Sequence, residues 1–167
     1  ETVEVPYLLG EEARIAGISG FTTHPPRARK EKPKVSGFSS AKIERILAVE
    51  PDLVLAFSDL QGDIARDLVK AGVAVHVFNH RSVDGILAMI ETVGRLVGAD
   101  ARALALVAEL EQTIATERAA GEARAARLGG RPKVYFEEWN EPLITGIRWV
   151  SELIGIAGGE DCFGELS

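Results

Sequence analysis

Aromatic and polar side chains recur where the apolar runs of this sequence give way to loops. Phe21, Phe38, Phe57, Trp139 and Trp149 stand in or beside segments 19–26, 37–40, 58–61 and 138–148. Asp59, Gln61, Asn79, His80, Arg81, Glu138 and Arg148 join them, the middle three from segment 79–82. Flat apolar surfaces with a few polar anchors fit the capture of a bulky, partly apolar ligand. Bond-making chemistry has less support. The run Gly-Ile-Ser-Gly at 17–20 lacks the spacing of a nucleophile elbow, and no P-loop or Gly-x-Gly-x-x-Gly follows a strand. His76 and His80 are four apart, but on a strand and its loop that spacing does not share one face, as it would on a helix. His76 reads as a core histidine and His80 as a metal-ligand candidate. Glu137 and Glu138 are adjacent, so on a strand they point to opposite faces and cannot pair as acid and base. His24, before Pro25-Pro26, lies in a rigid loop where it meets either ligand or solvent.

Each aromatic also has a plainer reading. Phe57 and Phe78 end apolar strands, the usual place of core residues. Phe21 and Phe38 sit in glycine-flanked loops that suit either role. Trp149 shares a helical pattern with Val150, Leu153 and Ile154 and is expected to be buried, whereas Trp139, between two glutamates and Asn-Glu-Pro, is expected to face outward toward a cleft. Arg81 and Arg148 are either surface charges or strand-end anchors.

The elements that must position these residues alternate. Segment 53–57 (Leu-Val-Leu-Ala-Phe) is apolar throughout, as is most of 73–78, which suits strands of a parallel sheet covered on both faces. Between them 63–70 has Ile64, Leu68 and Val69 on one helical face and stops at Gly72. Ser39-Ser40 is placed to cap a helix carrying Ile43, Ile46 and Leu47, which ends before Pro51-Asp52. Segment 82–97 is a third helix, and 14–19 and 34–36 are shorter strands. This alternation predicts an α/β fold with a doubly wound, Rossmann-like parallel sheet. The opening 1–10 is expected to be irregular, or a short helix beginning near Pro6.

From 100 to 128 no strand candidate occurs; Leu104, Val107, Leu110 and Ile114 keep an apolar stripe along a single helix roughly 40 Å long at about 1.5 Å per residue. Its charged residues, Glu109, Glu111, Glu117, Arg118, Glu122, Arg124 and Arg127, read as a solvated face with i,i+4 pairing. Gly121 weakens it by about 1 kcal/mol relative to alanine. After Gly129-Gly130 and Pro132, a strand over 133–137 and a helix over 147–157 follow. The expected organisation is an N-terminal α/β lobe over 1–98, a connecting helix over 99–129 acting as a rigid strut, and the beginning of a C-terminal α/β lobe over 130–167. Two complete lobes would want about 250 residues, so pieces are expected to be missing at both ends.

Composition narrows the classes. A net charge of −6 argues against a nucleic-acid partner, and the single cysteine, Cys162, excludes an intrachain disulfide and a cysteine-rich metal cage. No apolar run has the length of a membrane span, and no basic-then-apolar leader opens the chain: export is not in play, or a signal segment was removed before this sequence begins.

Three segments carry a resemblance. Segment 17–26 (Gly-Ile-Ser-Gly-Phe-Thr-Thr-His-Pro-Pro), 42–54 (Lys-Ile-Glu-Arg-Ile-Leu-Ala-Val-Glu-Pro-Asp-Leu-Val) and 148–161 (Arg-Trp-Val-Ser-Glu-Leu-Ile-Gly-Ile-Ala-Gly-Gly-Glu-Asp) resemble the cobalamin- and ferric-siderophore-binding components of ABC importers, the corrinoid branch in particular. The similarity runs from about Leu8 to the end. It implies two Rossmann-like lobes joined by one long helix, with a metal chelate captured in the cleft between them: cobalamin or another corrinoid first, a ferric siderophore or haem next. By position, the resemblance puts Phe21 and Phe57 against the corrin ring, Trp139 facing them, and Glu44 on the lobe surface that docks onto an arginine pocket of the permease. With the loop residues read above, the expected ligand-binding set is Phe21, His24, Phe38, Phe57, Asp59, Gln61, Arg81, Trp139 and Arg148, with no catalytic residue, no resident metal and no cofactor beyond the chelate itself. The implied partners are a permease and its ATPase. The implied location is the periplasm or cell envelope, peripheral to the membrane through the permease or a lipid anchor. Two other readings stay open. One is an α/β enzyme, a metal-dependent hydrolase or transferase with a divalent metal at His80 and Asp59 or Glu138. The other is a cytoplasmic ligand sensor.

Overall fold

Strand–helix–strand segments with connections this long pair in parallel, and a computed structural model, which describes residues 2–166, shows parallel pairing in both strand ladders of the first half of the chain. Helix α1 (Glu4–Leu8) opens it, a short helix that starts two residues before Pro6, as expected. Pro6 falls in the first turn, where backbone N–H groups have no helical partner, so its ring removes no bond. A 3-10 turn at Glu12–Arg14 occupies the beginning of the expected strand 14–19, leaving β1 (Ile18–Ser19). Helix α2 (Ala28–Glu31) leads to β2 (Lys34–Ser36), which pairs in parallel with β1 across a register shift between Ile18 and Ser19. Helix α3 (Ile43–Leu47) is not capped by Ser39 or Ser40; its N-cap is Lys42, with no side-chain bond. Of its expected apolar face Ile46 is buried, while Leu47 is exposed.

Strand β3 (Leu53–Phe57) is followed by a 3-10 turn at Asp59–Gln61, α4 (Gly62–Lys70) and β4 (Ala74–Phe78). The two strands run parallel in unbroken register from Leu53–Ala74 to Phe57–Phe78. Gly72 (φ 84°) ends α4 as expected, its N–H reaching the Val69 carbonyl at 3.0 Å while the Val73 N–H reaches Leu68 at 3.1 Å. Leu68 is wholly buried. The doubly wound sheet is not one layer among the described residues: β1–β2 and β3–β4 are separate two-stranded ladders. The slip in β1 and the brevity of β2 leave few groups to extend that pairing.

Helix α5 (Val83–Leu96) and helix α6 (Asp100–Leu128) follow, and α6 is one unbroken helix over the expected range. The expected strand 133–137 is only β5 (Lys133–Val134). A hairpin of β6 (Trp139–Asn140) and β7 (Leu143–Ile144) succeeds it, then α7 (Arg148–Ile156) and β8 (Glu160–Asp161). β5 pairs with β8 in parallel, and β6 with β7 antiparallel.

The chain divides into two compact units, Glu1–His80 with Met89–Ala103, and Arg81–Ala88 with Leu104–Ser167. The core of the first includes Tyr7, Ile18 and Ala28, against which Val3 and Ile15 pack. Tyr7 also donates to Glu31 Oε2 at 2.8 Å and lies under the Arg27 guanidinium, 4.6 Å from its ring centre, which ties α1 to α2. Burial, then the Glu31 carboxylate, raises the Tyr7 pKa above 10.0. In the second unit α6 and the end of α7 meet at two glycines. A Cβ on Gly121 would lie 2.2 Å from the Ile156 carbonyl oxygen, and one on Gly158 would lie 2.3 Å from that of Gly121. Sequence reasoning counted Gly121 only as a helix defect; here it admits a neighbouring backbone. On the charged face of α6, Arg124 pairs with Glu117 at 3.6 Å, seven residues back, and Glu122 pairs with Arg131 beyond the helix end.

Candidate functional site

Parallel strands present their loops at the carboxyl ends, where open α/β sheets bind ligands. In the first unit these loops carry three phenylalanines. Phe21 follows β1 and is 71% exposed, and Phe38 follows β2 and is 41% exposed. Phe57 is the last residue of β3 and is half-buried.

Short polar side chains hold the loops. Ser19 Oγ donates to the Gly37 carbonyl at 3.2 Å and accepts the Phe21 N–H at 3.2 Å. The Phe21 ring reaches over Gly37, its Cε2 only 3.9 Å from where a Cβ would stand. Arg29 Nη1 donates to the Gly20 and Thr22 carbonyls at 2.8 and 3.0 Å, fastening the turn that displays Phe21. Gln61 accepts the Phe57 N–H on Oε1 at 2.9 Å and donates from Nε2 to the Phe38 carbonyl at 2.7 Å.

Ser58 is the strained point of this rim. It has φ 73° and ψ 152°, a region that side-chain-bearing residues rarely adopt, and it is 6% exposed. Its N–H reaches the Phe78 carbonyl at 2.7 Å, and its Oγ donates to Asp59 Oδ1 at 2.8 Å while accepting the Leu60 N–H at 3.3 Å. Behind the rim the rings of Phe57 and His80 lie 5.1 Å apart, those of Phe78 and His80 6.2 Å, and those of His76 and Phe78 4.3 Å. His24 is exposed beyond Phe21, with Nδ1 3.0 Å from Thr23 Oγ1. Glu44 is exposed in the first turn of α3.

The remaining expected residues belong to the second unit. Trp139 is 60% exposed on β6, and its Nε1–H donates to the Glu141 carbonyl at 3.0 Å, fixing the indole on its hairpin. Arg148 opens α7 and donates from Nε to Glu152 Oε1 at 2.8 Å, while Glu152 Oε2 accepts the Val83 N–H at 2.7 Å. Its guanidinium thus serves the start of α5, a partnership the i,i+4 spacing of Arg148 and Glu152 could have disclosed. Arg81 is exposed, and Trp149, expected to be buried, is half-buried. Glu137 and Glu138 are exposed and outside any strand; Glu137 accepts from the Tyr135 hydroxyl, and that bond raises the Tyr135 pKa above 10.0. A cavity of about 640 Å³ in this unit is lined by Asp84, Glu111, Arg118, Glu122, Arg131 and Glu152 among others, and by none of the residues expected to bind ligand.

The structure therefore brings Phe21, Phe38, Phe57, Asp59 and Gln61 onto one set of strand ends. Sequence reasoning missed the roles of Ser19, Arg29 and Ser58; the two serines, beside or two residues from a phenylalanine, offered a signal, whereas Arg29, eight residues past Phe21, offered none. Among the described residues no three His, Cys, Asp or Glu side chains gather as a metal cluster, and no helix is long and apolar enough to cross a membrane.

Comparison with known proteins bears on the family and the fold. The model of the periplasmic binding protein family matches residues 1–167. A vitamin B12-binding protein of Vibrio campbellii is 31% identical over 174 residues, covering 99% of this chain and 59% of its own. A cobalamin-binding protein of Halobacterium salinarum is 30% identical over 162 residues, covering 95% of this chain and 43% of its own. Among solved structures, a periplasmic heme-binding protein from Pseudomonas aeruginosa superposes with a TM-score of 0.79 at 23% identity, over 96% of this chain and 59% of that one. The chain spans about half the length of these relatives. With α/β elements in the expected order and a family match running along all of its residues, the chain belongs to the periplasmic binding protein family.

Proposed function

We propose that the protein is the solute-binding component of an ABC importer, capturing a metal chelate and delivering it to a permease. A corrinoid is the first choice of ligand, haem or a ferric siderophore the next. The observation that carries this reading is the rim of Phe21, Phe38 and Phe57 on one set of strand ends, with Phe21 71% exposed. An uncovered phenylalanine forgoes about 1.5–3 kcal/mol of burial, which a flat ligand restores. In the same unit His24 and Asp59 supply polar anchors for the amide arms of a macrocycle. The names of the two relatives favour cobalamin; the heme-binding neighbour keeps haem as the second reading.

On this reading no bond is made or broken, and the protein works in the periplasm or cell envelope with a permease and its ATPase. Glu44 is the docking carboxylate, offered to a basic pocket on the permease. Calorimetric titration with cyanocobalamin and, separately, with hemin tests the reading. Micromolar or tighter binding of one is expected, and no heat or spectral shift with either at high micromolar concentration refutes it. Glu44→Arg is expected to leave affinity intact while abolishing uptake by the reconstituted importer; undiminished uptake removes the docking role.

A further inference from the structure

One side-chain amide spans two of the aromatic loops in the first unit, and its bonds run to backbone on both sides: Phe57 N–H to Gln61 Oε1 at 2.9 Å, and Gln61 Nε2 to the Phe38 carbonyl at 2.7 Å. We propose that Gln61 is a positioning residue and not a ligand contact: it sets the spacing of Phe38 and Phe57, and so the shape of the rim, before ligand arrives. The inference rests on the chelate-binding reading above.

Three observations carry it. First, β1–β2 and β3–β4 are separate ladders, so among the described residues no strand pairing sets the distance from Phe38 to Phe57. Gln61 bridges that gap directly. Second, the Phe38 loop otherwise closes on itself. The Gly37 N–H bonds to the Ser40 carbonyl at 2.8 Å, and the Gly37 carbonyl accepts from Ser19, which also holds the Phe21 N–H. Ser19 and Gln61 thus link all three aromatic loops in series. Third, the chain accepts strain to bring the amide into place. The positive φ of Ser58 folds the segment back so that the Gln61 N–H meets the Ser58 carbonyl at 3.2 Å and its side chain returns to Phe57, four residues earlier. With Oε1 and Nε2 each engaged on backbone, two of the amide's four hydrogen-bonding sites are committed, and its orientation set, before a ligand arrives. Pre-ordering of this kind raises affinity by removing the cost of ordering the loop on binding.

The test uses Gln61→Met, which keeps the length and loses both bonds, and Gln61→Glu, which regains both only when protonated. Cyanocobalamin and hemin are the probes, with the melting temperature and the hydrogen exchange of the Phe57 amide in the ligand-free protein recorded alongside. Gln61→Met is expected to weaken the bound probe about ten-fold, to accelerate Phe57 amide exchange, and to leave the melting temperature within a few degrees. Gln61→Glu is expected to recover toward wild-type affinity as pH falls from 7 toward about 4.3, the ordinary glutamate pKa, relative to wild type at each pH. In a Phe38→Ala background the loss from Gln61→Met should largely vanish, because Gln61 acts through that ring's loop. Unchanged affinity in Gln61→Met, or a full and additive loss in the Phe38→Ala background, overturns the proposal. Wild-type protein that binds neither probe refutes the chelate reading instead. Phe57 exchange then still judges the clamp: faster exchange in Gln61→Met upholds it and unchanged exchange overturns it.

Discussion

Gly121→Ala sets helix propensity against packing. In the interior of α6, alanine is favoured over glycine by about 1 kcal/mol. The new Cβ, however, would stand 2.2 Å from the Ile156 oxygen, 2.7 Å from the Gly158 nitrogen and 2.9 Å from the Ala157 carbonyl carbon. These are backbone atoms, so no side chain can rotate aside. The turn they belong to is also held: Arg124 donates to the Ala157 carbonyl from Nε and Nη2 at 3.2 and 3.1 Å, and Arg131 Nη1 to the Gly155 and Gly159 carbonyls at 2.9 and 3.3 Å. Relieving the contact means moving that turn by about an ångström, an overpacking cost of about 1–3 kcal/mol. Each guanidinium bond stretched in the process adds about 0.5–1.5 kcal/mol. Packing wins, and Gly121→Ala is expected to destabilise by about 1–3 kcal/mol, lowering the melting temperature by about 2–4 °C per kcal/mol in a chain of this length. Gly155→Ala is the internal control, because a Cβ there meets nothing within 4 Å. It should stabilise by up to about 1 kcal/mol. Thermal and urea melts of both variants decide the matter. A rise in melting temperature for both refutes the packing argument.

Glu50 has φ 47°, a left-handed conformation that costs a side-chain-bearing residue about 1–2 kcal/mol. Glu50→Gly should therefore gain about 0.5–1 kcal/mol in urea unfolding after the entropy of glycine is deducted. Glu11 accepts from Arg14 and from Arg102, and these bonds hold its carboxyl below the usual 4.5. A depressed carboxylate stabilises the fold above 4.5 and loses that contribution as pH falls through its lowered value, so Glu11→Gln should flatten the acid limb of stability against pH without steepening it near neutrality. If Trp139 is a ligand surface, probe binding quenches tryptophan emission, and Trp139→Phe removes most of the quench while Trp149→Phe does not; the opposite assignment by fluorescence titration eliminates Trp139.

The elements most legible in the sequence were those whose signal is local and redundant. β3 and β4 are nearly unbroken apolar runs, Gly72 ends α4 by the conformation that favours glycine, and α6 has no competing strand signal anywhere in its span. The elements misjudged depend on partners far along the chain. β1 yields its expected beginning to a 3-10 turn and slips register against β2, and α3 forgoes a serine cap. β6 and β7 form a hairpin around Glu141-Pro142 although Glu-Glu-Trp-Asn-Glu-Pro has no alternating apolar pattern. Gly121 is the sharpest case. A glycine in a helix reads as a defect until the backbone that approaches it, more than thirty residues later, is known.

The site divides along the same line. Aromatic residues at strand ends were legible because a large apolar ring in a glycine-flanked loop is conspicuous by type alone. The polar residues beside them were read from sequence as ligand anchors or as solvent-facing groups, and neither reading reserves their hydrogen bonds for the protein itself. Folding engages several of these groups. Gln61 is taken by Phe57 and Phe38, Arg148 by Glu152, and the Trp139 indole N–H by Glu141. A loop whose carbonyls and amides lack strand partners must satisfy them from nearby side chains, so a polar residue at a strand end is claimed by backbone before a ligand competes for it. The phenylalanine rings carry no hydrogen-bonding group for the backbone to claim. That asymmetry is why the aromatic rim could be picked out by residue type while its polar framework became readable only with the loops in place.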